Sequence, residues 1–256
     1  MELKISRVRA CKVAGLSRMT SRTTPKARNP NLVERVIELS KEYPRYGFRR
    51  VAALIPGVNI KAIHRIWKQE GLKLNRKTRR RIKRSNLPPI DLIQPHQQWC
   101  MDFVHTTLTS GKQLRILAVL DCFTRECLAL RAATHFPSNR VKQEMEWIFL
   151  LHQPPQRILS DNGTEFRALK LPESIQHDFI QPGSPWQNGR VESFFDKLRD
   201  ELLNREIFHS IQELQSALDQ HQYFYNHQRP HRSLNNQTPL LFKENQQQSK
   251  LMTGAA

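Results

Sequence analysis

The stretch 181–203, QPGSPWQNGRVESFFDKLRDELL, leaves the chain the least freedom, because a Gly/Pro-punctuated loop runs directly into a helix with one apolar face. At about 100° per residue, Val191, Phe194, Phe195, Leu198 and Leu202 fall within one arc of roughly 100°, so this helix must lie against another layer of structure. Glu192 and Arg199 share the edge of that arc. An isolated glutamate there reads as a solvated flank. Other acids upstream change that reading.

Asp102 sits inside Gln98-Trp99-Cys100-Met101-Asp102-Phe103-Val104, the interior of a predicted strand, where an uncompensated carboxylate is costly. Asp161 follows the apolar run Arg157-Ile158-Leu159-Ser160 and opens Asp161-Asn162-Gly163, a turn composition at a strand end. Three acids on a strand, a strand end and a helix are the oxygen donors that Mg²⁺ takes while keeping waters for a substrate phosphate.

These segments carry a resemblance. WCMDFVHTTL with LAVLDCFTREC, then ILSDNGTEF, PGSPWQNGRVESFFDKLRDEL and YNHQRPHRSLNNQTP run in this order between residues 98 and 239. They resemble the integrase core of DDE transposases and, more narrowly, the OrfB-type proteins of the insertion-sequence-three family, relatives of retroviral integrases. The resemblance implies an α/β fold with an RNase H-like mixed sheet and flanking helices, preceded by a small all-helical, helix-turn-helix-like domain. It implies that Asp102, Asp161 and Glu192 are the catalytic, metal-ligating acids, with two Mg²⁺ or Mn²⁺ ions per active site. The implied reaction frees a 3′-OH at the element's end, and that hydroxyl attacks a target strand. Partners would be double-stranded DNA, as element ends and as target, and further copies of the chain assembled on it, with no small-molecule cofactor. A catalytically impaired DNA-binding remnant and an RNase H-like nuclease without strand transfer are the alternatives.

In one respect the chain departs from the family. Only 30 residues separate Asp161 from Glu192, a spacing shorter than usual, and the shortage falls in residues 166–177, FRALKLPESIQH. Pro172 leaves room there for one or two helical turns. Without a packed helix, the sheet is expected to expose apolar surface and the loop before Glu192 to move. The expectation is a preserved fold with weakened or absent strand transfer.

Charge divides the chain. Residues 1–86 hold 24 Lys and Arg against 5 Asp and Glu, whereas residues 87–256 hold 17 against 18. The N-terminal third therefore suits a polyanion, and the rest keeps its acids for something else. The four cysteines show no paired spacing and read as buried, reduced thiols. No apolar run approaches the roughly 18 residues of a membrane span, so a cytoplasmic, nucleoid-associated protein of a prokaryote is expected, without a membrane partner.

Residues 1–30 form a basic segment with a candidate helix-turn-helix element, a helix turning at Gly15 into a second one capped by Ser17. Residues 31–86 read as a helical DNA-binding domain with a basic tail. Helices are predicted over 31–42, 49–55 and 59–71, the last capped by Asn59 and ending at Gly71. In that third helix Lys61, His64, Arg65 and Lys68 share a DNA-reading polar face, and Ile60, Ile63, Ile66 and Trp67 the buried one. The tail places seven basic residues, Arg76, Lys77, Arg79, Arg80, Arg81, Lys83 and Arg84, in eleven positions, a block that stays extended until it meets phosphates.

A Pro-rich linker at 87–97 leads to the catalytic core at 98–243, with strands at 98–108, 113–121, 126–132, 157–161 and 177–180 and helices at 138–152, with Ser138 as cap, 188–205 and 211–226. The first and fourth strands should be neighbours, bringing Asp102 beside Asp161. Asp121 is placed across from Cys100, either supporting the metal ligands or capping the turn into Phe123-Thr124-Arg125. Glu165 should hold the Asp161 turn, Asp196 and Asp200 face solvent, and Arg199 contact the cut phosphate or its neighbour. Trp186 reads as a wedge against DNA or a local anchor. Pro230 argues against a His227–His231 metal pair, and residues 229–232 read as a DNA-facing turn or a packing motif. Residues 244–256 are expected to be a disordered tail.

Overall fold

The computed structural model describes residues 6–15, 17, 29–72, 74, 92–181 and 188–253. The chain divides into two compact units, Met1–Ala52 with Gly57–Leu74, and Ala53–Pro56 with Asn75–Ala256.

Helices precede the sheet: α1 (Arg7–Val13), α2 (Pro30–Glu42), α3 (Phe48–Ala53) and α4 (Ile60–Gln69). Gly15 follows α1 with a φ of 63°, and the helix expected after Ser17 lies outside the described residues. Val36 and Leu39 of α2 and Ile63, Ile66 and Trp67 of α4 are buried, as their spacing requires. Ile60, the first residue of α4, is the exception at 44% exposure. Asn59 Oδ1 accepts from the Lys61 N–H at 2.8 Å. At the other end Gly71 takes a φ of 65°, and the Leu72 N–H returns to the Trp67 carbonyl at 3.1 Å, closing a Schellman turn.

The larger unit is built on a five-stranded sheet: β1 (Gln98–Thr107), β2 (Gln113–Asp121), β3 (Cys127–Ala133), β4 (Arg157–Ser160) and β5 (Gln176–Phe179). The strand order is β3-β2-β1-β4-β5, with β1–β2 and β2–β3 antiparallel and β1–β4 and β4–β5 parallel, the RNase H-like arrangement. Alternation along β1 separates two cores. Cys100 and Val104 join Phe194, Leu198 and Tyr225 on one face, contributed by helix α7 (Gly189–Leu198) and helix α8 (Ile211–His227). Trp99 and Met101 join Met145, Ile148 and Phe166 on the other, from helix α5 (Ser138–Leu151) and the single turn α6 (Thr164–Arg167).

Several expectations need correction. The β1–β2 hairpin closes at Thr107↔Gln113, not at residue 108, so Trp99 rather than Cys100 lies opposite Asp121. Leu108 belongs to the turn, its N–H bonding the Lys112 carbonyl at 3.0 Å while its side chain is buried. Ser138 is the first helical residue of α5 and caps nothing; the extended Pro137 holds the N-cap position. The regular part of the 188–205 helix ends at Leu198 and continues as a π-helical turn, Arg199–Leu203. The segment after α6 does not bare the sheet: Phe166, Leu169 and Ile175 are buried against it.

The polar tail is also ordered further than expected, as helix α9 (Pro239–Thr253). Thr238 followed by Pro239 is a helix-start signal, and Thr238 Oγ1 accepts from the Leu241 N–H at 3.3 Å. Phe242 lies 5.5 Å from the Phe123 ring and Lys243 Nζ reaches Glu126 at 2.8 Å, which pins α9 to the sheet unit. Among the described residues no helix is long and apolar enough to cross a membrane. The cysteines are all free and buried.

Candidate active site

The parallel pairing of β1 with β4 sets Cys100 opposite Leu159. Continued two residues past this last pair, the register carries Asp102 towards Asp161, just beyond the end of β4 and on the face of β1 that also carries Cys100. The apolar stripe of α7 is fully used, with Val191, Phe194, Phe195 and Leu198 buried. That docking leaves Glu192 in the helix's first turn, exposed on the rim.

Asp102 is half-buried, and its Oδ1 accepts from the Phe103 N–H at 2.7 Å. Its other oxygen faces Asn188 Nδ2 at 3.3 Å. Burial first, then the charges of Asp161 and Glu192, push the Asp102 carboxyl up to about 6 against the opposing pull of the Phe103 N–H and Arg199. All three acids thus act on one point. They are not a closed cluster: among the described residues no three His, Cys, Asp or Glu side chains lie so that they could hold a metal ion as they stand. A donor set of three carboxylates fits a hard, oxygen-preferring divalent cation, and the charge they focus on Asp102 is what such a cation neutralises.

Asp161 is held by its own turn. Its Oδ1 accepts from the Gly163 N–H at 3.0 Å, and a Cβ on Gly163 would meet that oxygen at 3.0 Å and Glu165 Oε2 at 3.2 Å. Asn162 Nδ2 ties the turn to the Ile180 carbonyl beyond β5 at 2.6 Å. Glu165 forms an ion pair with Arg115 of β2, which holds its carboxyl below the usual range, and Arg115 lies 4.0 Å over the Phe103 ring. Phe103 in turn stacks on Phe166 at 4.7 Å. Glu165 therefore anchors the turn rather than joining the acids.

Asp121 is fully buried and serves as a cap. Its carboxylate accepts from the N–H groups of Phe123 at 2.8 Å, Thr124 at 2.7 Å and His96 at 2.7 Å. Asp196 is exposed and Asp200 half-buried. His227 stacks on Tyr223 at the surface while His231 is buried against Tyr225, so the two do not pair. Arg229 is a packing residue, buried to 1% with Nε and Nη2 bonded to both oxygens of Glu201 at 2.8 and 2.7 Å. The π turn carries Glu201, so this pair joins the extension of the helix that bears Glu192 to the segment just after α8.

Lys61, His64, Arg65 and Lys68 are exposed on α4, His64 resting 4.3 Å from the Phe48 ring. Arg76, Lys77, Arg79, Arg80, Arg81, Lys83 and Arg84 lie outside the described residues, as does Trp186. Sequence reasoning missed Asn188, 2% exposed at the head of α7, whose Oδ1 is buried without a partner among the described residues. The Asn-Gly pair four residues before an edge glutamate was the available signal.

An RNase H-like sheet with one carboxylate inside β1, one just past the end of β4 and one on the following helix defines the class. The family described as Integrase core domain matches residues 93–185, and a second of the same description matches residues 173–239. The chain is 32% identical over 255 residues to the insertion element IS476 uncharacterized 39.2 kDa protein of Xanthomonas euvesicatoria, covering 94% of this chain and 73% of that one. It is 28% identical over 245 residues to the transposase InsD for insertion element IS2A/D/F/H/I/K of Escherichia coli, covering 86% of this chain and 81% of the other. Among solved structures, a simian T-cell lymphotropic virus intasome in complex with PP2A regulatory subunit B56 gamma shares the fold, with a TM-score of 0.50 and 15% identity over 81% of this chain and 74% of that chain. The chain belongs to the DDE transposases of the insertion-sequence-three family and is an insertion-sequence transposase, a DNA polynucleotidyl transferase with an integrase-like core.

Proposed function

We propose that Asp102, Asp161 and Glu192 are the catalytic acids and hold two divalent ions, Mg²⁺ or Mn²⁺, with which this transposase cuts an element end and joins it to target DNA. The observation that carries this reading is the convergence of the Asp161 and Glu192 charges on the half-buried Asp102. When bound, such ions neutralise charge on the attacking and leaving oxygens of an in-line displacement and acidify an attacking water.

The protein's own groups orient the donors. The Phe103 N–H and Asn188 Nδ2 fix one oxygen each of Asp102, the Gly163 N–H fixes Asp161, and the buried stripe of α7 delivers Glu192. Arg199, close enough to Asp102 to oppose its raised pKa, takes the phosphate being cut or its neighbour. Lys61, His64, Arg65 and Lys68, with the basic block at 76–84, bind the phosphates of duplex DNA. The domain division is that of a basic helical part for grip and the sheet for chemistry. Two element ends must meet in one complex, so several copies act together on DNA, in the cytoplasm at the nucleoid. The filled sheet face behind residues 166–177 supports both cleavage and joining by this chain, while most of the loop before Glu192, residues 182–187, lies outside the described residues.

The test replaces Asp102, Asp161 and Glu192 singly by Asn, Asn and Gln and follows Mg²⁺-dependent cleavage of duplex oligonucleotides carrying the element's ends. Cleavage should disappear in each while DNA affinity stays close to that of the parent. Substantial cleavage by one variant removes that residue from the site.

A further inference from the structure

Among the described residues, asparagine holds the N-cap position of α2, α4 and α7, as Asn29, Asn59 and Asn188. Asn59 makes the bond that favours the residue there, its Oδ1 accepting from the Lys61 N–H at 2.8 Å. Asn29 makes no side-chain cap but is exposed, so water serves its amide. Asn188 makes no side-chain cap either, and it is 2% exposed. Its Oδ1 is buried without a partner among the described residues. An asparagine that gives up both its local bond and its water carries a cost that another interaction has to offset.

One end of that interaction is Asp102. Asn188 Nδ2 lies 3.3 Å from Asp102 Oδ2, across 86 positions of sequence. Chemistry allows the carboxamide only one way round, because a carboxylate accepts and only the amide nitrogen donates. Turning the nitrogen to Asp102 leaves the oxygen, on the same carbon, as a buried acceptor with nothing to accept. The backbone is consistent with this choice: capping residues are usually extended, whereas Asn188 has a φ of −98° and a ψ of 20°. Glu192 follows four residues later, about one helical turn. The carboxamide therefore touches the first acid, and the turn it opens carries the third.

A divalent ion on these carboxylates keeps some of its waters, and a water on such an ion is a stronger donor than bulk water. An orphaned carbonyl oxygen beside a ligand carboxylate is suited to receive it. We propose that Asn188 is a positioning residue of the metal site, its Nδ2 fixing Asp102 and its Oδ1 accepting from a water carried by the divalent ion. This rests on the reading of Asp102 as a metal ligand. It also accounts for the residue type: an aspartate would set charge against charge, and a leucine offers neither end.

The test uses the full chain without DNA. Mn²⁺ affinity is followed by electron paramagnetic resonance for the parent, Asp102→Asn and Asn188→Leu, and melting temperatures are recorded without metal. Asn188→Leu should bind Mn²⁺ about tenfold more weakly, the loss expected when the partner of a ligand carboxylate is removed. Its metal-free melting temperature should stay within about 2 °C of the parent's, because the long bond it gives up goes together with the orphaned oxygen. The side-chain NH₂ signals of Asn188 in an amide NMR spectrum, identified by their absence from Asn188→Leu, should shift as Mg²⁺ is added to the parent and stay in place in Asp102→Asn. Parent-like Mn²⁺ affinity in Asn188→Leu, or NH₂ signals in the parent that ignore Mg²⁺, overturns the assignment. A metal-free melting temperature lower by several degrees makes Asn188 a structural residue and overturns it as well. The acid-site reading fails in a different pattern. Mn²⁺ binding that is absent from the parent, or unchanged by Asp102→Asn, sinks that reading and this inference with it, whereas a loss confined to Asp102→Asn leaves the reading standing and removes only the role of Asn188.

Discussion

The two parts of this chain use charge in opposite ways. Residues 1–86 accumulate it, 24 basic against 5 acidic, while residues 87–256 are nearly neutral at 17 against 18. Residues 87–256 set acids beside bases, Arg229 with Glu201, Arg115 with Glu165, Arg131 with Asp219 and Lys243 with Glu126. Against these pairings the acids Asp161 and Glu192, whose charges act on Asp102, stand apart. A basic tail holds any polyanion by number, whereas acids gathered at one spot suit a bound cation in one place.

The first way to break this contrast is to remove the number. Converting Arg76, Lys77, Arg79, Arg80, Arg81, Lys83 and Arg84 to Gln should make the log–log salt slope of duplex binding shallower by up to about six. A slope within one unit of the parent's would show that the tail is not the grip.

The second attacks a pairing. Glu201→Ala strands the buried Arg229 and should cost about 3 kcal/mol in urea denaturation. A cost below about 1 kcal/mol would mean the π turn is held by its apolar contacts instead.

The third attacks an uncompensated spot, so its sign reverses. The folded Asp102 carboxyl lies at about 6, above its ordinary value, so the stability it contributes is full below about pH 4 and lost as pH rises through about 6. Asp102→Asn should therefore stabilise the metal-free protein by about 1–3 kcal/mol at pH 8 and by little at pH 4, and Mg²⁺ should close the gap by stabilising the parent alone. Equal stabilities at both pH values would place Asp102 outside the convergence.

The smallest expected effect concerns the shortened segment. Phe166, Leu169 and Ile175 already cover the sheet there, so a helical insertion after Ala168 should bring no gain in strand transfer. A clear gain would restore the view that the missing residues matter.

What the sequence disclosed follows from the range of the interactions involved. The stripe of α7, the strand carrying Asp102 and the strand end at Asp161 are local patterns, and their periods placed them. Adjacency of β1 and β4 followed from the order of elements. The position of Asp121 did not, because register turned on whether Leu108 ended a strand or began a turn, one hydrogen bond to Lys112. Partners far apart in sequence were equally hidden: nothing local tells Arg229 that Glu201 waits 28 residues earlier, or Arg190 that Cys122 lies 68 residues before it. The tail of α9 was misread because a polar composition was taken as disorder despite the Thr238-Pro239 start and the anchoring Phe242.

The central claim is that three carboxylates from separate elements hold divalent ions together. Binding of Mn²⁺ to the full chain, followed by electron paramagnetic resonance, tests it without reference to DNA or turnover. The parent should bind Mn²⁺ saturably, Asp102→Asn, Asp161→Asn and Glu192→Gln should each weaken that binding severely, and Glu165→Gln should not. Parent-like Mn²⁺ binding by any of the three variants would contradict the account.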